Sequence, residues 1–122
     1  MSEKISALKL NTIQVIRSGR ESYDMTLSIS NLQQMGTING VAAEAIVDAA
    51  QVYALMVFID NLDLPKTTVE PGKTPRGQTK IILSYLDGRS LTLGMNLNEA
   101  GVEYFELSPD EFMELMELWG SL

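Results

Sequence analysis

Residues 39–62 read NGVAAEAIVDAAQVYALMVFIDNL and form the longest apolar segment of the chain. Three polar residues interrupt it, Glu44, Asp48 and Gln51, and their spacing places them in one narrow stripe on a helix. Most surface helices show the reverse, a narrow apolar stripe on a polar cylinder. We therefore predict a long central helix that must be covered on nearly every side, either by its own chain or by a second subunit.

The second half of this segment leaves two structures open. Residues 52–59 are rich in β-branched and aromatic side chains, so the helix could end near Tyr53 and continue as a buried strand. A membrane span is not expected, because a bilayer helix needs about 20 nearly uninterrupted apolar residues. If a second copy covers the apolar surfaces, the expected interface residues are Ala45, Val52, Met56, Phe112 and Trp119.

Alternation of apolar and polar side chains predicts strands on both sides of the central segment. The predicted strands are residues 5–17, 22–30, 79–86, 89–97 and 102–107. Residues 31–38 are interpreted as a connector. Asp87-Gly88 is typical of two-residue hairpin turns, in which both central residues have positive φ.

A second, shorter helix is indicated after residue 107. Ser108 can cap it, Pro109 suits its first position, and Glu111 can bond back to the cap. Its apolar face consists of Phe112, Leu115, Met116 and Trp119. The predicted order is thus β-β-α-β-β-β-α. This order favours one α+β domain over residues 1–122, in which both helices lie on one face of an antiparallel sheet of about five strands, with a flexible loop at 65–78.

The composition restricts the chemistry that is expected. The 122 residues include no Cys and no His. Without thiolates and imidazoles, the usual nucleophile–base pairs and transition-metal sites are absent. We predict a protein that is not an enzyme and that has no metal site and no cofactor. The lack of Cys and of a recognisable secretory leader predicts a cytoplasmic location.

The net charge of −7 is concentrated at one end of the sequence. Residues 99–122 carry seven carboxylates and no base, while the remainder is electrically balanced. The acidic surface is expected to include Glu111, Glu114 and Glu117. Such a surface attracts basic proteins and repels nucleic acids.

Residues 66–80 form the best candidate ligand site in the sequence, because bases, glycines and hydroxyl groups cluster there. The candidate anion-binding residues are Lys66, Lys73, Thr74, Arg76, Gly77, Lys80 and Arg89. A phosphorylated small ligand or nucleotide would suit this chemistry. A mobile connector without a ligand remains the other interpretation.

The end of the chain, a strand followed by a helix that opens with Leu107-Ser108-Pro109-Asp110-Glu111-Phe112, is similar to the ending of small single-stranded-DNA-binding coactivator domains. The acidic region and the lack of a basic stripe argue against the same activity here. We expect a non-enzymatic, homo-oligomeric interaction protein, a regulator or inhibitor that meets a basic protein partner. The alternatives are a binder of a phosphorylated ligand and, below it, a binder of single-stranded nucleic acid.

Overall fold

The computed structural model describes residues 2–19, 21–68, 78–98 and 101–122. Within these residues the protein is mostly β, with one mixed sheet of nine strands and two short helices. The strands are β1 (Ser2–Lys4), β2 (Leu10–Arg17), β3 (Tyr23–Ser28), β4 (Gln33–Ile38), β5 (Val41–Ile46), β6 (Asp63–Thr68), β7 (Thr79–Tyr85), β8 (Ser90–Gly94) and β9 (Glu103–Glu106). The helices are α1 (Ala49–Asp60) and α2 (Pro109–Gly120).

The sheet has the strand order β1-β6-β9-β8-β7-β2-β3-β4-β5. Neighbouring strands are antiparallel except β8 and β9, which are parallel. The chain leaves β5 at one edge of the sheet, forms α1, and enters β6 beside the other edge. The prediction of a five-stranded antiparallel sheet with a long central helix is therefore wrong.

The first half of the predicted central helix is strand β5, and the cause is the turn before it. Asn39 and Gly40 have φ values of 51° and 78°. Two consecutive positive φ values form the tight turn that suits the twist of a hairpin, so Ile38 pairs with Val41. The helix begins only after Asp48, whose side chain accepts a hydrogen bond from the N–H of Ala50 at 2.8 Å.

Other predicted elements are corrected in the same way. Residues 31–38 contain β4 rather than a connector, and a strand, β6, spans Pro65. Residues 52–59 are helical, which resolves the alternative left open by the sequence. The turn at Asp87-Gly88 has a positive φ only at Gly88, and the N–H of Gly88 donates to the Tyr85 carbonyl. It is a three-residue hairpin loop with a bulge rather than the predicted two-residue turn.

The core lies between the two helices and one face of the sheet. Ile13 of β2 pairs with Leu27 of β3 on one side and with Leu83 of β7 on the other, and all three are fully buried. The helices contribute to the same cluster through their buried residues, which are Val52, Leu55, Ile59, Leu115 and Trp119. Burial of side chains of this size stabilises the fold by about 1.5–3 kcal/mol each.

The capping motif predicted for α2 is confirmed. The hydroxyl of Ser108 accepts a hydrogen bond from the N–H of Glu111 at 3.2 Å, and the Glu111 carboxylate accepts one from the N–H of Ser108 at 2.9 Å. These bonds fix the start of the helix. At its far end, Trp119 donates to the hydroxyl of Tyr23 at 2.7 Å, which ties α2 to β3.

Candidate functional site

The two edges of the sheet differ in their protection against a further strand. The β1 edge is three residues long and carries Glu3 and Lys4. The β5 edge is six residues long, reads VAAEAI and has Glu44 as its one charged residue. Val41 is 68% exposed and Ile46 is 89% exposed. Short charged strands discourage edge-to-edge pairing, whereas long apolar ones promote it, so β5 is the unprotected edge.

Every second residue of β5 directs its backbone polar groups away from the sheet. The pair Ile38 and Val41 flanks the two-residue turn and is therefore a hydrogen-bonded pair. The N–H of Val47, which like Val41 has an odd number, donates to the carbonyl of Leu32 at 2.9 Å. Odd-numbered residues thus bond to β4. The residues that point outward are Ala42, Glu44 and Ile46.

The one carboxylate on β5 does not guard the edge. Glu44 pairs with Met35 of β4, and its side chain accepts a hydrogen bond from Nε2 of Gln33 at 2.6 Å. Because Gln33 also belongs to β4, this bond holds the carboxylate over the protein's own sheet. Ala42, the preceding outward-pointing residue, has a side chain too small to shield the outward N–H and C=O groups.

A second exposed apolar surface lies on α1. Tyr53 is 70% exposed and Leu8 is 73% exposed, and they line a cavity of about 320 Å³ with Val57 and Asp60. The carboxylate of Asp60 accepts a hydrogen bond from the N–H of Ala7 at 2.9 Å, which holds segment 5–8 against the helix. We call this surface the α1 groove; Met56 completes its lining.

The predicted interface residues occupy different environments. Val52 and Trp119 are buried within their own chain, and Phe112 is partly buried against the same core. Met56 lines the α1 groove, and Ala45 is exposed on β5. The structure therefore covers part of the apolar segment internally and leaves the part on β5 and the outer side of α1 open.

The candidate anion site is only partly described. Lys73, Thr74, Arg76 and Gly77 lie outside the described residues. Lys66 pairs with Glu103 at 3.4 Å, and its Nζ lies 5.8 Å from the centre of the Phe105 ring. Lys80 is the second residue of β7. An anion site there stays a prediction.

Arg89 follows the end of β7 that is remote from Lys80. Its guanidinium pairs with Asp87 at 2.8 Å and stacks 4.8 Å from the centre of the Tyr85 ring. Hydrogen bonds from the backbone and side chain of Arg89 lower the pKa of Asp87. Arg89 thus has a local role in the β7–β8 turn and is not brought near Lys66 or Lys80.

Two tyrosines of the described chain are buried, Tyr85 and Tyr104. Burial raises the pKa of both Tyr85 and Tyr104, which makes their phenolates less available. The Tyr85 hydroxyl donates to the Ser6 carbonyl. Among the described residues, no group of three or more Asp and Glu side chains is arranged to hold a metal ion.

The predicted acidic surface is partly exposed on α2. Glu111 is committed to the helix cap, whereas Glu114 and Glu117 are exposed. In the described part of the chain, no helix is long and apolar enough to cross a bilayer. Comparison of the chain with protein-family models, curated proteins and solved structures finds no match.

The β5 edge is the functional candidate that sequence reasoning missed. The sequence pattern predicts a helix for these residues, and a helix has no position at the edge of a sheet. The available signal was Asn39-Gly40, a dipeptide strongly typical of hairpins, followed by a segment of strand length. The exposure of Leu8 had no comparable signal, since a single apolar residue in a loop is common.

Proposed function

We propose that this protein is a non-enzymatic interaction domain that associates with a second copy of itself through the β5 edge. The observation that supports the proposal most directly is the difference between the two edges, one short and charged and the other long, apolar and open. Strand addition would extend the sheet across two subunits. The main-chain hydrogen bonds would supply affinity and the side chains specificity.

The expected affinity is moderate. A backbone hydrogen bond contributes about 0.5–1.5 kcal/mol net, and association costs about 4–15 kcal/mol in lost freedom. Hydrogen bonds alone would therefore not suffice, and burial of Val41 and Ile46, both largely exposed in the single chain, must contribute. We expect dissociation constants in the micromolar range.

The proposal is tested by measuring molar mass by sedimentation equilibrium from about 1 to about 200 μM. The wild type should pass from monomer to dimer. Ala42→Pro removes an outward N–H without removing a bond to β4, and Ile46→Lys places a charge on the edge; both should keep the protein monomeric.

Leu8→Lys is the matched control, because it adds the same charge at another largely exposed apolar site, in the α1 groove. It should leave the dimer intact. Loss of the dimer in Leu8→Lys but not in Ile46→Lys would place the contact at the α1 groove and contradict the proposal. A wild type that stays monomeric at all concentrations would also contradict it.

A regulatory or inhibitory role through the acidic side of α2 is the narrower part of the proposal. Glu114 and Glu117 are exposed, and α2 carries no basic residue in its last turn. Titration with a Lys-rich peptide should show weaker binding for the double variant Glu114→Gln/Glu117→Gln. The control Glu3→Gln/Glu21→Gln has the same net charge. An equal loss of binding in the control would show that the total charge, and not the acidic side of α2, determines binding.

A further inference from the structure

We infer that Asn39 is a site of spontaneous deamidation, and that this reaction releases strand β5 from the sheet. The inference concerns a chemical modification of the chain and does not depend on the proposed self-association. It follows from the free groups of the Asn39-Gly40 turn, the geometry of that turn and the weak attachment of β5.

The two reacting groups of the turn are accessible. Asn39 and Gly40 are both exposed, and nothing lies within 4 Å of the point where a side chain on Gly40 would begin. The N–H of Asn39 donates to the Ser22 carbonyl at 2.7 Å. Among the described residues, in contrast, the Asn39 carboxamide and the N–H of Gly40 have no hydrogen-bond partner. Both the nucleophile and the group it attacks are therefore unoccupied.

The reaction exchanges the side-chain nitrogen of Asn39 for an oxygen atom. The backbone nitrogen of Gly40 attacks Cγ of Asn39, forms a bond to it and loses its proton, while the Cγ–Nδ2 bond breaks and ammonia leaves. Water then opens the cyclic imide at one of its two carbonyl carbons and returns a proton to the nitrogen. Opening at Cγ gives aspartate. Opening at the backbone carbonyl carbon gives isoaspartate, in which the main chain runs through Cβ and Cγ.

The folded turn holds the reacting groups apart. Consecutive positive φ values of 51° and 78° define a type I′ turn. In this turn the first central residue has a ψ of about 30°. That ψ places the Gly40 nitrogen on the side of the Cα–C bond away from Cβ, whereas ring closure requires both on the same side. The reaction therefore proceeds only when the β4–β5 hairpin opens.

Strand β5 is attached weakly enough to open by itself. It lies at the edge of the sheet and pairs with β4 alone. Its residues are exposed except Ala43, which is half-buried. Segments that bury little apolar surface open at a lower free energy than the whole protein. Opening of this hairpin thus makes Asn39 reactive while the remainder of the sheet stays folded.

The isoaspartate product prevents the hairpin from closing again. It adds one carbon atom to the main chain between Ile38 and Val41, so the turn loses the two-residue geometry that pairs these residues. The N–H groups of Ala43 and Ala45, which bond to β4, then stay open to solvent. The aspartate product leaves the length of the main chain unchanged and keeps the hairpin.

The site is tested by incubating the full chain at mildly alkaline pH, in native buffer and in guanidinium chloride, and mapping its asparagines by mass spectrometry. Conversion at Asn39 should be at least about tenfold faster in the denaturant, since the hairpin is then always open. In native buffer Asn39 should convert first. The other asparagines precede residues with side chains and serve as internal controls: Asn11, Asn31, Asn61, Asn96 and Asn98. Asn39→Gly keeps the positive φ of the turn and has no amide to lose, so this variant should form no product there.

Hydrogen exchange of the separated products tests the release of β5. In the isoaspartate form, the amides of Ala43 and Ala45 should lose their protection, while those of β2 and β7 keep it. Asn39→Asp adds the same charge without lengthening the main chain and should keep the protection of Ala43. Three results would overturn the inference: conversion of another asparagine before Asn39, equal rates at Asn39 with and without denaturant, or unchanged protection of Ala43 in the isoaspartate form.

Discussion

Gly36 in β4 leaves no room for a side chain. A methyl group at this position would overlap the carbonyl oxygen of Asp24 in β3. This oxygen cannot move aside easily, because it belongs to the backbone of the neighbouring strand. We expect Gly36→Ala to lower the free energy of unfolding by about 3 kcal/mol or more. Gly120→Ala is the control, because nothing lies within 4 Å of the added carbon. Urea denaturation should show Gly120→Ala unchanged or more stable; a loss below about 1 kcal/mol for Gly36→Ala would contradict the packing.

Tyr85 makes stability depend on alkaline pH. Burial raises its folded-state pKa above the usual value of 10.0, so the folded protein holds the phenolic proton more tightly than the unfolded chain. This contribution is complete below pH 10 and is lost as pH rises through the folded-state pKa. Urea midpoints measured from pH 8 to pH 11 should fall at the upper end.

Tyr85→Phe removes this ionisation and the hydrogen bond to Ser6 together. We expect it to be less stable than the wild type at pH 8, by about 1 kcal/mol, and to show a smaller alkaline decline. Equal declines in the two proteins would assign the pH dependence to other groups.

At the scale of elements, the start of α1 depends on Asp48. Its side chain accepts from the N–H of Ala50, and α1 has no acidic residue in its first turn to assist. Asp48→Ala should lower the free energy of unfolding by about 1 kcal/mol, and Asp48→Asn should restore most of it. Thermal or urea denaturation gives the comparison, and equal stability of the three proteins would contradict a capping role.

The sequence predicted the elements in which one local signal acted alone. The alternation in residues 22–30 and 89–97 and the capping motif at Ser108 correspond to β3, β8 and the start of α2. These signals depend on neighbouring residues only. They do not show which strands pair, so the mixed sheet and the position of β1 beside β6 were not predictable.

The prediction of one long helix over residues 39–62 was wrong, because three polar residues with different structural roles happened to have the spacing of a helical stripe. Glu44 lies on a strand, Asp48 caps a helix, and Gln51 lies within that helix. The alanines of β5 favour a helix intrinsically, yet the turn at Asn39-Gly40 imposes a hairpin. The candidate site was missed for the same reason, since an edge is defined by the assembled sheet.

At the scale of the whole molecule, the net charge of −7 opposes association of two copies. Salt screens this repulsion, so the dimer should tighten several-fold between about 0.02 and about 0.5 M NaCl. Sedimentation equilibrium at the two salt concentrations measures the change. A dimer that weakens with salt would instead indicate attraction between opposite charges at the contact, which β5 does not offer.

The strand order also governs how a nascent chain assembles. Strands β2 to β5 pair with their neighbours in sequence, so this meander is available early during synthesis. In contrast, β6 borders only β1 and β9, and β9 alone links that pair to the remainder of the sheet. The place of β1 and β6 in the sheet therefore depends on β9, and truncation before Glu103 would remove β9 and separate these two strands from the remainder of the sheet.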